Sequence, residues 1–118
     1  MSLARILVID DEPHVRELLR EFLTGLGYDV TTEATGNEAL GAVPAVEPDV
    51  IVVDRLMPGL SGEEVLDALR RTARTVPVIL ISGNAATAVD GFFAILEKPF
   101  NLRRIAEVVA AAVDHGRR

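Results

Sequence analysis

Three observations predict an α/β fold with a central parallel sheet. The runs ARILVID, DVIVVD and VPVILIS are rich in Ile and Val and apolar without period-two alternation, which marks strands covered on both faces. Segments with apolar residues at helical spacing lie between the strand candidates. The two kinds of segment alternate strictly, β then α, five times over, and that order gives a parallel sheet with helices on both sides and right-handed crossovers. The chain of 118 residues is read as one domain, 1–118.

Taken in order, ARILVID is the first strand. VRELLREFLTGLG places Val15, Leu18, Leu19, Phe22, Leu23 and Leu26 on one helix face, starting at Pro13 and stopping at Gly25 or Gly27. YDVTTEA is a weaker strand candidate. In GNEALGAVPAVEP, Gly41 and Pro44 predict a shortened helix ending near Val43. After DVIVVD, the helix GEEVLDALRRT buries Val65, Leu66 and Leu69. VPVILIS and the weaker FFAILEK are the last strands. LRRIAEVVAAAVDHG closes the chain with Leu102, Ile105, Val109 and Val113 facing inward, and HGRR is read as a frayed end.

Composition excludes several classes. With a net charge of −6, no basic stripe is available to displace counterions from nucleic acid, and an anionic membrane is an equally poor partner. The absence of cysteine removes thiolate chemistry, disulfides and Cys-ligated metals. No apolar run reaches 18 residues, and the apolar run before Asp10 is too short for a signal-peptide core. A cytoplasmic location is expected.

The stretch ILVIDDEP sets the chemical problem. A strand buried on both faces ends in Asp10, Asp11 and Glu12, and adjacent carboxylates disfavour one another's ionisation unless a cation is present. In open α/β sheets the ligand site lies beyond the carboxyl ends of the strands. The first strand finishes at Asp10 and Asp11, the third at Asp54, the fourth at Ser82 and the fifth at Lys98. These five side chains are expected to meet at one edge. Hard oxygen donors suit magnesium, which is usually held by one or two carboxylates together with a phosphate. Lys98 can pair with a phosphoryl oxygen and Ser82 can donate to another.

The segments VIDDEPHVREL, VVDRLMPGLSG, ILISG and EKPF, in that order and spacing, resemble the receiver domain of bacterial two-component response regulators over essentially the whole chain. The resemblance implies a flavodoxin-like (βα)5 three-layer sandwich with strand order 2-1-3-4-5. It implies that Asp54 is the phosphoacceptor, and that Asp11, Asp54 and the main-chain carbonyl of Leu56 ligate Mg2+ (or Mn2+ in its place), with Asp10 acting through water. Lys98 would hold the phosphoryl group, Ser82 would be the hydroxyl switch, and the Lys98–Pro99 bond would be cis. The phosphodonor would be a histidine kinase or phosphotransfer protein, and the domain would be a signalling switch rather than an enzyme acting on other molecules.

Departures from the family pattern are equally specific. Ile95 stands where many receivers carry Tyr or Phe. GNAATAVDGFFAILE, between Ser82 and Lys98, is short, so the fourth helix is expected to be stunted or replaced by a loop, and the family's homodimer mode does not carry over safely. Leu56 and Asn84 would flank the phosphoryl group and tune its lifetime; apolar Leu56 offers an attacking water no hydrogen bond, so slow self-dephosphorylation is expected. Taken singly, the residues have plainer uses: Asp11 or Glu12 as a helix cap, Asp54 as a turn residue, His14 and His115 as exposed side chains. The alternative at the level of the whole chain is a degenerate receiver that binds a protein partner without phosphorylation. A phosphohydrolase with an aspartyl intermediate typically has a second carboxylate two residues past the nucleophile, where this chain has Leu56.

Overall fold

The computed structural model describes residues 3–72, 74–83 and 90–116. Its elements run β1 (Arg5–Ile9), α1 (Pro13–Gly25), β2 (Asp29–Glu33), α2 (Gly36–Val46), β3 (Val50–Asp54), α3 (Gly62–Arg71), β4 (Val78–Ser82), β5 (Ala94–Glu97) and α4 (Leu102–Gly116). The five strands form one parallel sheet in the order β2-β1-β3-β4-β5. The chain therefore has the flavodoxin-like fold with four helices among the described residues. The expected stunted fourth helix falls largely on residues 84–89, which lie outside them, as does Asn84.

The continuous apolar runs are explained by two cores, one on each face of the sheet. Along β1, Ile6 and Val8 join a cluster with Val15, Leu19 and Leu23 of α1 and with Ile105, Val109 and Val113 of α4. Leu7 and Ile9 point the other way, into a cluster with Ala39 and Val43 of α2 and Val65, Leu66 and Leu69 of α3. Successive side chains of a strand face opposite sides, so a strand between two helical layers has no polar face. All five residues of β3 and of β4 are buried, whereas the edge strands β2 and β5 are mostly half-buried. The weaker strand candidates are thus the two edges.

Four expectations need correction. Helix α2 continues past Val43 to Val46 with Pro44 inside it. A proline there removes only one backbone bond close to the helix end; Val43 is buried, and Glu47, in the left-handed region at φ 50°, donates its N–H to Val43 O at 2.9 Å. Leu18 and Leu26, placed on the buried face of α1, are 44% and 49% exposed. Val15, Leu19, Phe22 and Leu23 fill the arc of α1 that meets the sheet, leaving Leu18 at its margin, and Leu26 lies beyond the last helical turn. Of the tail HGRR, His115 and Gly116 remain helical, with His115 tilted against Phe93 at a ring separation of 5.4 Å. Residues 117–118 lie outside the described set.

Candidate functional site

The carboxyl ends of β1, β3, β4 and β5 lie side by side in the sheet, and the polar residues sit there. Asp10, directly after β1, is 1% exposed; Asp54, the last residue of β3, is 6% exposed; and Ser82, the last of β4, is 2% exposed. Among the described residues they are the buried polar or charged ones, in a core otherwise made of aliphatic side chains. Asp10, Asp11 and Asp54 each bring a carboxylate oxygen to a common point, all within 4.8 Å of one another, with Asp11 on the exposed side. Lys98, directly after β5, sets its Nζ 3.4 Å from Asp54 Oδ1, and its N–H donates to Ser82 O at 2.8 Å. The Lys98–Pro99 bond is cis, as the resemblance implies.

Local geometry accounts for the arrangement. The N–H of Glu12 donates to Asp10 Oδ1 at 2.9 Å, turning the chain into α1. Glu12 occupies the helix N-cap without a side-chain cap bond, and Pro13 follows in the first helical turn. A cap-only use of Asp11 or Glu12 therefore does not describe this turn. Arg16, one turn into α1, donates from Nη1 to Asp10 O at 2.7 Å. On the other side of the site, Arg55 N donates to Ile81 O at 2.9 Å and the N–H of Gly62 donates to Arg55 O at 3.0 Å. These bonds hold the β3–α3 loop against the sheet edge.

Burial pushes the Asp10 carboxyl above its ordinary value, and the neighbouring charges of Asp54 and Asp11 add to this, opposed by the Glu12 N–H and by Lys98. Burial raises Asp54 as well, with Asp11 adding to it and Lys98 opposing it. Three carboxylates thus face one ammonium. Asp10 Oδ2 is buried without a hydrogen-bond partner among the described residues. A buried acceptor left unmatched in a cluster of like charge fits a hard divalent cation, which would satisfy that oxygen and offset the repulsion together.

The sequence-predicted residues Asp10, Asp11, Asp54 and Lys98 converge, and Ser82 ends the neighbouring strand. Leu56, in the β3–α3 loop, is 77% exposed. Ile95 is half-buried against the α2–α3 side of the core rather than among the carboxylates. His14 is outside the cluster, its exposed ring 3.2 Å from Glu12. Sequence reasoning missed Arg16 and the ion pair Arg55–Glu63. An arginine one turn after an acidic loop was a usable signal for Arg16; nothing local links Arg55 to a residue eight positions on.

Comparison with known proteins agrees with this geometry. The family model described as "Response regulator receiver domain" matches residues 6–110. The chain is 36% identical over 117 residues to the nitrogen assimilation regulatory protein NtrX of Azorhizobium caulinodans, covering 92% of this chain and 26% of NtrX. It is 40% identical over 114 residues to the transcriptional regulatory protein KdpE of Mycobacterium tuberculosis, covering 92% of this chain and 50% of KdpE. The chain thus spans between a quarter and a half of these relatives. Among solved structures, a response regulator receiver domain protein from Clostridium thermocellum matches with a TM-score of 0.89 at 28% identity over 98% of both chains. The response regulator TrrA of Thermotoga maritima, solved in complex with Mg2+ and BeF, matches with a TM-score of 0.85 at 34% identity, covering 93% of this chain and 99% of that one. With two-sided α/β packing, an acidic cluster at the strand ends and a family match over nearly its whole length, the chain belongs to the response regulator receiver domains.

Proposed function

We propose that this domain is a phosphoacceptor switch, taking a phosphoryl group from the phosphohistidine of a histidine kinase or phosphotransfer protein onto Asp54. The observation that carries the reading is the setting of Asp54: buried at the end of β3, within a three-carboxylate cluster, 3.4 Å from an ammonium. A carboxylate oxygen of Asp54 attacks phosphorus in line, the P–N bond breaks, and the departing imidazole keeps the electron pair and is protonated from solvent. The product is an acyl phosphate. Because the transition state for such a transfer is loose, positioning and charge neutralisation account for most of the acceleration. Lys98 supplies one positive charge to the transferring oxygens. Asp10, Asp11, Asp54 and the main-chain carbonyl of Leu56 would hold Mg2+, with Asp10 acting through water and Mn2+ able to substitute. When bound, that ion would neutralise phosphoryl oxygen charge.

After transfer, Ser82 and Lys98 engage the phosphoryl oxygens and draw the loops after β4 and β5 inward, biasing a two-state surface. The output is a protein contact, made in the cytoplasm without direct binding of nucleic acid. The domain catalyses only its own phosphorylation and slow hydrolysis. The relatives named above include transcriptional regulators, and a longer regulator containing this domain would use the same switch. Mixing the protein with Mg2+ and a small-molecule phosphodonor tests the proposal: the parent gains one phosphoryl group and Asp54→Ala gains none. Equal labelling of both proteins rejects the assignment of Asp54, and a parent that takes up no label favours phosphorylation-independent partner binding.

A further inference from the structure

The loop from residue 55 to 61 follows the proposed phosphoacceptor and contains Leu56. It is closed by a pair of side chains outside the acidic cluster. Arg55 Nε donates to Glu63 Oε2 at 2.9 Å, and the two side chains are only 19% and 33% exposed. The pair Arg5–Glu47, at 3.6 Å with side chains 44% and 71% exposed, shows the usual surface arrangement, in which water screens most of the attraction. Screening is weaker for Arg55–Glu63, and a directed guanidinium–carboxylate bond is among the stronger hydrogen bonds.

Its place in the fold gives the bond a function. Arg55 is fixed by its own N–H to β4 and by its carbonyl to Gly62. At Gly62, the first residue of α3, an added Cβ would lie 3.0 Å from Asp54 O and 3.2 Å from Arg55 Cα. The helix therefore begins in contact with the backbone of the phosphoacceptor itself. Glu63, in the first turn of α3, has its other oxygen, Oε1, buried with no partner among the described residues. Arg55 is thus the group that keeps this carboxylate where it is, and through it the end of β3 is tied to the first turn of α3 across the loop.

We propose that Arg55 and Glu63 form a positioning pair for divalent metal binding, fixing the main chain at Asp54 and Leu56; the inference rests on the receiver reading of the site. Magnesium tolerates little departure from octahedral geometry, so a loop free to shift loses affinity even with every ligand present. Neither side chain is assigned to the metal or to the phosphoryl group.

Isothermal titration of Mg2+ tests this, on the parent, Arg55→Met, Glu63→Gln, the double variant, and the exchanged pair Arg55→Glu with Glu63→Arg. Measurements are made well below each protein's melting temperature, with Asp11→Asn as the variant lacking a proposed ligand. Each single variant is expected to bind Mg2+ roughly tenfold more weakly, the size seen when groups that orient metal ligands are lost. The double variant should be no weaker than the weaker single, because both remove one interaction, and the exchanged pair should regain part of the loss. Single variants that melt earlier yet match the parent's affinity overturn the inference and leave a purely structural ion pair; so do losses that add in the double variant. A parent that binds no Mg2+, or an Asp11→Asn protein that binds like the parent, overturns the phosphoacceptor reading of the site and this inference with it.

Discussion

Asp10 is where the folded chain carries an electrostatic cost most plainly: a buried carboxyl with one oxygen turned by Glu12 and the other without a partner among the described residues, next to two more carboxylates. Its raised folded pKa means that the native state binds its proton more tightly than the unfolded state does. That contribution to stability is full below the ordinary value of 3.8 and is lost as pH rises through the raised one. Asp10→Asn, which keeps the acceptor for the Glu12 N–H, should therefore stabilise the metal-free protein at pH 7 by about 1 kcal/mol, within the range common for relieving unfavourable charge. The gain should vanish as pH falls through that window, and urea melts of parent and variant across pH check both the size and the sign. Leu56, exposed beside the site, offers no hydrogen bond to an attacking water. One such bond is worth about 1 kcal/mol, so Leu56→Asn should speed loss of the acyl phosphate by about fivefold in a phosphate-release time course. Asp10, Asp11, Asp54, Ser82 and Lys98 were legible because each ends a strand, and strand ends share an edge. Arg55 was not, because its partner Glu63 is a side chain brought close only by the folded loop, and Arg16 left only the weaker signal of an arginine one turn past an acidic loop.

At the scale of elements, α3 is the most explicitly specified helix. Ser61 and Glu64 form a reciprocal capping box, at 3.2 Å and 3.0 Å. Ser61→Ala should cost about 1 kcal/mol, read as a lower urea midpoint with the slope unchanged. Gly62→Ala is a sharper test of how α3 positions the site. Its Cβ would meet Leu80 Cδ1 at 2.6 Å and the Asp54 carbonyl at 3.0 Å, and the backbone contact cannot yield as a side-chain tip can. The expected cost is about 1–3 kcal/mol, typical of overpacking, together with weaker Mg2+ binding; a variant with unchanged stability and affinity would show that α3 does not set the geometry of β3's end. The buried strands were readable because burial on both faces leaves continuous apolar runs. Helix α2 was misjudged at its end because local propensity penalises Pro44, whereas the packing of Ala39 and Val43 against the sheet holds the helix together around it. Leu18 and Leu26 were misassigned for a related reason: periodicity gives a stripe, and the neighbouring layer decides how wide a stripe is covered.

For the whole molecule, strand order and the two cores bring residues from opposite ends of the chain to one edge, where three carboxylates stand against one ammonium. No helix of the described residues is long and apolar enough to cross a membrane. A bound cation would offset the charge excess at that edge, so Mg2+ is expected to raise the melting temperature, and less so as pH falls and Asp10 and Asp54 take up protons. The most direct measurement is the mass of the intact protein after incubation with Mg2+ and acetyl phosphate, for the parent and for Asp54→Ala. A single phosphoryl adduct on the parent, absent without Mg2+ and absent from Asp54→Ala, is the predicted result. An adduct that persists on Asp54→Ala, or a parent that takes up none, contradicts the assignment of Asp54 as the phosphoacceptor.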